Sequence, residues 1–344
     1  AYMIDRLRRS AGSGSAQTGT RGVWGCRLSA ARRIGSAATT ILPRTASAFP
    51  APFDTLLGGA GAAKAGNLRL APFLIAKGTS SDILVVMGGN AAGGDVPRRI
   101  RPGFPDNSNL RLDNTIGLRQ GDIGLVSKEG TEDCLLEQVN VTDATAFAAA
   151  GNEVLPLGGR YFTATGATTS LATLIADGTA LFTPLGNVNA NNLQFQLVGV
   201  DANRTLVAYD LLRAPGPGPT EGTAAAAMQA LADGVVALYA VYGVDTDKNG
   251  TVDAWIDPGA AGYTVDALMQ APDKLRYVVA ARVALVVRGS VFEKKPVTGE
   301  SLPIFDDLGT ARRSLSIATA DQNFRHRVID TTIPLRNMLL LPLP

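Results

Sequence analysis

Histidine and cysteine are almost missing from this chain of 344 residues: it has one histidine, His326, and two cysteines, Cys26 and Cys134, with no C-x-x-C spacing. That scarcity excludes a zinc site or an iron–sulfur cluster, which need several such ligands at short intervals. Charge is scarce as well. Only 18% of residues are charged against 46% hydrophobic, and the formal net charge is +2. The near balance argues against a dedicated nucleic-acid binder, which carries a strong basic excess. The apolar fraction fits a globular chain rather than a disordered one. No stretch reaches the roughly 20 apolar residues that cross a bilayer as a helix, and no signal peptide is recognisable. Nor is there a G-x-S-x-G nucleophile motif. A Ser-His-Asp triad has only His326 to draw on, and its neighbours Arg325 and Arg327 oppose an imidazolium. His326 therefore reads as an exposed strand residue.

The two cysteines are either buried thiols or one disulfide. In an exported, Gly-rich β setting the disulfide is favoured. It would close a loop of roughly 100 residues, which the chain-entropy model values at about 4–5 kcal/mol before strain.

Glycine (38) and proline (19) are plentiful, which suits many short elements joined by turns. Positive charge is concentrated at the start: up to residue 53 there are eight arginines and a single acid, Asp5. Such an Arg- and Ser-rich opening suits an organellar transit peptide or contact with acidic headgroups or a neighbouring subunit. Trp24 and Cys26 look instead like parts of a fold. Met3, Ile4 and Leu7 share one face of a helix-like run that Gly12 and Gly14 break. The expectation is that the natural start lies upstream of Ala1.

Residues 13–66, rich in Gly, Ala, Ser and Thr, read as a long connection. Short strands follow. Ile83 to Met87 is a continuous apolar run suited to a buried strand. Asp122–Val126 and Cys134–Val139 form a pair around a polar turn, and Leu193–Val200 and Thr205–Leu212 flank a hairpin turn, Asp201-Ala202-Asn203-Arg204. The Pro/Gly stretch at 214–222 is a stiff exposed connector, and Ala224–Ala232 suits a short helix. Val235–Tyr242, Arg282–Arg288 and Arg327–Arg336 read as strands. Pro334 belongs at a strand end or on a sheet edge, because it has no amide hydrogen to give.

The sharpest motif is Asp245-Thr246-Asp247-Lys248-Asn249-Gly250-Thr251-Val252-Asp253. Oxygen side chains at positions 1, 3, 5 and 9 with Gly at 6 match the first nine places of an EF-hand-type loop. Calcium takes six to eight hard oxygens. Asp245, Asp247 and Asn249 supply side chains, Thr251 its carbonyl, and Asp253 binds directly or through water. Position 12 is Ile256, where a bidentate acid belongs, so Asp257 is the candidate substitute. The competing interpretation is an empty acidic turn with Asn249-Gly250 at its corner. Gly58–Lys64 has the glycines of a phosphate loop but lacks the GK[ST] ending. Trp24 and Trp255 read as core or cap aromatics.

Several of these segments together resemble the PilW family of type IV pilus minor pilins, related to the J-type pseudopilins of type II secretion. The opening Met3–Gly12 is similar to the end of the long pilin helix, and Trp24-Gly25-Cys26 and Asp133-Cys134 to the family's two cysteine segments. Ser81-Asp82-Ile83-Leu84 and Gly121–Val126 resemble its strand openings. Ala232–Val235, Tyr242–Asp247, Val279–Leu285 and Thr332–Asn337 complete the set in order. Residues 27–80 and 145–190 match poorly.

The resemblance implies an α+β, pilin-like fold: the remnant of an N-terminal helix (1–12) packed on one mainly antiparallel β head (13–344). It also implies a non-enzymatic minor pilin in pilus initiation or at the tip, with other minor and major pilins, or copies of itself, as partners. Neither nucleic acid nor a small-molecule substrate is expected. The missing helix would anchor the chain at the periplasmic face of the inner membrane before it enters an extracellular filament. The alternative is an extracellular filament or sheath protein that borrows a pilin-like head.

Overall fold

The computed structural model describes residues 26–34, 37–43, 49–56, 68–89, 97–103, 106–141, 153–190, 192–212 and 227–335. The chain is built from strands: the helices in these segments, α1 (Phe53–Leu56), α2 (Leu171–Ile175) and α3 (Val265–Gln270), are each six residues or fewer. α2 and α3 start under side-chain caps, from Ser170 and Thr264.

The first sheet contains β1 (Arg27–Ile34), β2 (Ala37–Leu42), β5 (Arg98–Arg99), β6 (Asn109–Arg111), β7 (Asp122–Ser127), β8 (Asp133–Val139), β9 (Val154–Phe162) and β10 (Leu181–Asn187). Its spine runs β2-β1-β8-β7-β10-β5, with β9 joining β8 to β6. β1 and β8 are parallel, with Leu28 opposite Cys134; the sheet's other pairings are antiparallel. Alternation decides what each face of β8 meets. Cys134 and Leu136 enter the main core, whereas Leu135 and Val139 enter a second cluster with Leu110, Leu155, Leu171 and Phe182.

The second sheet, ordered β13-β12-β11-β4-β3, is antiparallel throughout. It consists of β3 (Phe73–Ala76), β4 (Ile83–Gly88), β11 (Gln194–Val200), β12 (Thr205–Asp210) and β13 (Met228–Asp233). The apolar run of β4 is buried along its whole length, as an unbroken run requires. β3 lies at the sheet edge yet is buried, and a side chain covers its exposed backbone: the Ile75 N–H donates to the Tyr242 hydroxyl at 2.6 Å. Burial in turn pushes the Tyr242 phenol pKa up.

The third sheet, β15-β14-β16-β19, holds β14 (Val235–Val244), β15 (Ala254–Ile256), β16 (Val278–Phe292) and β19 (Phe324–Pro334). β14 shows the period of two clearly. Leu238, Ala240, Tyr242 and Val244 face the main core, while Ala237, Tyr239 and Val241 pack under the hairpin β17–β18 (Ser301–Ile304, Arg313–Ser316) with Ile304 and Phe305. In β16, Ala284 and Val286 are buried on the hairpin side and Val283, Leu285 and Val287 lean on the main core. Pro334 closes β19 at the sheet edge.

Three expectations are corrected. Residues 13–66 are not one long connection, since β1, β2 and α1 lie inside them. Arg27 and Arg32 are buried in β1 alongside Leu28, Ala30 and Ala31, so its strand character is masked. The Ala-rich stretch taken as a helix is, over 228–233, strand β13: pairing with β12 overrides alanine's helix preference. The expected last strand is also shifted, starting at Phe324. The helix remnant at 1–12, Trp24, the glycine run at 58–64 and the connector at 214–222 lie outside the described residues.

Candidate functional site

Cys26 and Cys134 form a disulfide across 108 residues of sequence. A polar cluster beside it holds the same junction. The Arg27 guanidinium donates to Asp133 at 2.5 Å, and Thr168 donates to the other Asp133 oxygen through its N–H at 2.7 Å and its hydroxyl at 2.8 Å. Burial pushes the Asp133 carboxyl up, but the Arg27 and Thr168 donors outweigh it and hold the group below the usual carboxylate range. The residue before the second cysteine is therefore part of the tie.

The acidic loop leaves β14 at Val244 and returns at β15. Its base is closed by the Asp253 N–H donating to Val244 O at 2.9 Å, and by the Asp245 N–H donating to Tyr277 O at 2.8 Å. Asp245 is buried at the root; Asp247, Asn249 and Asp253 are exposed. Left-handed backbone at Lys248 (φ 64°) and Gly250 (φ 87°) folds the loop back on itself. The Asn249 and Gly250 N–H groups donate to Asp245 at 3.1 and 2.7 Å.

As a result, Asp245, Asp247 and Asp253 bring carboxylate oxygens within 4.8 Å of one another. Asn249 Oδ1 stands in the same loop, accepting from the Thr251 N–H at 2.8 Å. The Thr246 hydroxyl and the N–H groups of Thr246 and Asp247 hold Asp253 below its ordinary pKa, keeping it ionised. Convergent hard oxygens of this kind suit calcium. Asp257 does not join them. It is engaged by Lys77 at 2.6 Å, Arg313 at 3.2 Å and the Gly259 N–H at 2.7 Å.

That engagement belongs to a network whose role the sequence does not reveal. Asp82, fully buried just before β4, accepts from the Gly78 N–H at 3.0 Å, the Ala240 N–H at 3.0 Å and Arg313 at 3.1 Å. Its own N–H donates to Leu238 O at 2.7 Å. One carboxylate thus joins β4 of the second sheet, β14 of the third and β18 of the covering hairpin. Burial pushes its pKa up, and Arg313 and the two N–H donors oppose this. Arg313 also lies 4.9 Å over the Tyr239 ring, whose hydroxyl donates to Ser80 O. An acid directly before a wholly apolar run was the available signal.

His326 lies half-buried in β19 rather than exposed, with its Nδ1 3.2 Å from the Thr298 hydroxyl and 3.0 Å from Phe324 O. Burial lowers its pKa. Trp255 packs half-buried in β15, as a cap aromatic would. No helix among the described residues is long and apolar enough to cross a membrane.

No curated protein and no solved structure matches the chain significantly. A family match does exist, and it covers β12 to β19, including the acidic loop, the Ala240 and Arg313 partners of Asp82, and the whole third sheet. Over residues 198–337 the chain matches the model of the PilW family, Type IV Pilus-assembly protein W.

Proposed function

We propose that this chain is a non-enzymatic minor pilin, a structural subunit that acts by assembly when a type IV pilus is initiated or at its tip. The family match over residues 198–337 carries this reading. It implies a role connected with type IV pilus assembly, in the cell envelope and among other pilus components. The order of the earlier segments supports extending the reading to the rest of the chain. Cys26 and Cys134, which resemble the family's two cysteines, are joined, and the strand opening at Asp82 docks onto β14 of the matched segment.

In this reading residues 1–12 are the end of an N-terminal helix that carries a single β-rich, pilin-like head. The helix anchors the subunit at the periplasmic face of the inner membrane before assembly, and its partners are other minor and major pilins. The loop 245–253 holds a structural calcium ion through Asp245, Asp247, Asn249, Thr251 and Asp253; the metal would fix the exit of β14 and perform no chemistry. Three convergent carboxylates in an Asp-x-Asp-x-Asn-Gly-x-x-Asp spacing support it. Deleting the gene tests the function: loss of surface pili and of twitching, restored by the intact gene, is expected. Unchanged piliation and twitching would count against it.

A further inference from the structure

β16 outruns its partner β14. Their register ends with Val235 opposite Val287, and beyond Arg288 it is β19 that pairs with β16, as far as Phe292 opposite Phe324. The last residues of β16 and the first of β19 therefore form a two-stranded arm, with the loop after β16 at its end. Its end is braced: the Phe292 and Phe324 rings meet edge-on at 5.5 Å, Arg288 lies 4.1 Å over Phe324, and the Thr298 hydroxyl donates to Phe324 O at 2.6 Å.

Its tip is not covered. Val291 is 70% exposed, Phe292 62% and Val297 45%. Lys294 and Lys295, both exposed, sit between these apolar residues, and Arg325 reaches out beside them. Of the two carboxylates in the loop after β16, Glu293 is held by Arg325 at 3.1 Å and Glu300 is exposed next to β17. Among the described residues neither lysine has an ion-pair partner.

We propose that this arm tip docks the head on an anionic phospholipid surface. Val291, Phe292 and Val297 make the tip apolar, and the two lysines beside them have no ion-pair partner among the described residues. A bilayer interface accepts apolar side chains at the headgroup boundary and concentrates anionic charge there, and exposed apolar residues flanking two lysines fit both demands. Phe292 and Val291 enter the interface, and Lys294 and Lys295 meet the lipid phosphates. The arm's exposure and charge would favour this docking whether or not the chain is a pilin.

The test is co-sedimentation of the full chain with vesicles of phosphatidylglycerol and phosphatidylethanolamine, against pure phosphatidylcholine, at low and high salt. The arginine-rich first 53 residues are cationic too, so the variants decide the outcome. Lys294→Glu with Lys295→Glu should weaken binding to the anionic vesicles about tenfold or more. Phe292→Ser should weaken it at unchanged net charge, and the charge-matched control Arg119→Glu with Arg312→Glu should do neither. Unaltered circular dichroism would confirm that the variants fold. Equal binding by wild type and both tip variants would overturn the proposal. So would tip variants that lose self-association, measured by ultracentrifugation, while keeping vesicle binding, because the tip would then be a contact between copies of the chain.

Discussion

Asp82 shows how much a single buried charge can organise. Its carboxylate collects two backbone N–H groups and one guanidinium from three different strands or their approaches. Removing one member of a buried pair leaves the other without compensation, at a cost of several kcal/mol. Asp82→Asn should therefore lower the unfolding free energy by roughly 3 kcal/mol, read from urea titration; an unchanged midpoint would show that the network is idle. Glu137 differs: it is buried in β8, and its donors among the described residues are the Thr163 and Ala164 N–H groups, at 3.1 and 2.7 Å. Burial pushes its carboxyl up from 4.5 to about 8, against those donors and nearby Arg33. Between these values the unfolded chain releases the proton and the folded chain keeps it. The stability contributed by this group is thus fully present below pH 4.5 and is lost by about pH 8. The slope limit for one group is about 1.4 kcal/mol per pH unit. Urea midpoints at pH 5 and pH 8 should differ in that direction, and Glu137→Gln should shrink the difference; an unaltered difference would mean other groups set the pH dependence.

At the scale of elements, the sequence was legible wherever hydrophobicity has a clean period. The run Ile83–Met87, both hairpins and the alternation of β16 all appear as strands with the faces expected. It was illegible where composition and context disagree. β13 is alanine-rich and exposed, so nothing in its own residues marks it as a strand; its pairing with β12 does. β1 hides behind buried arginines that find their partners far along the chain, Arg27 with Asp133 for one. The acidic loop could be read because its ligand spacing is local, whereas the Asp82–Arg313 pair spans 231 residues and leaves no local pattern.

Two element-scale predictions follow from these ties. Cys26→Ser with Cys134→Ser opens a loop of 108 residues and should cost about 2–5 kcal/mol in urea unfolding. After chelation, added calcium should raise the melting temperature, by the equivalent of about 2.7 kcal/mol at a hundredfold excess over Kd. Asp245→Ala should abolish that gain. An identical melting curve with calcium and with chelator would make the loop an empty acidic turn.

For the whole molecule, the third sheet sits between two cores: one face closes on the second sheet and the N-terminal strands, the other on the β17–β18 hairpin. The family match spans this unit, and the preceding residues are fastened to it through Asp82, Tyr242 and the main core. The proposed minor pilin would act through its surfaces and be rare in the filament. The most direct measurement is targeted mass spectrometry of pili sheared from cells that carry the native gene. The chain should be present, at a small fraction of the main subunit. Its absence from the pili, or an abundance equal to the filament's main component, would contradict a minor-pilin role.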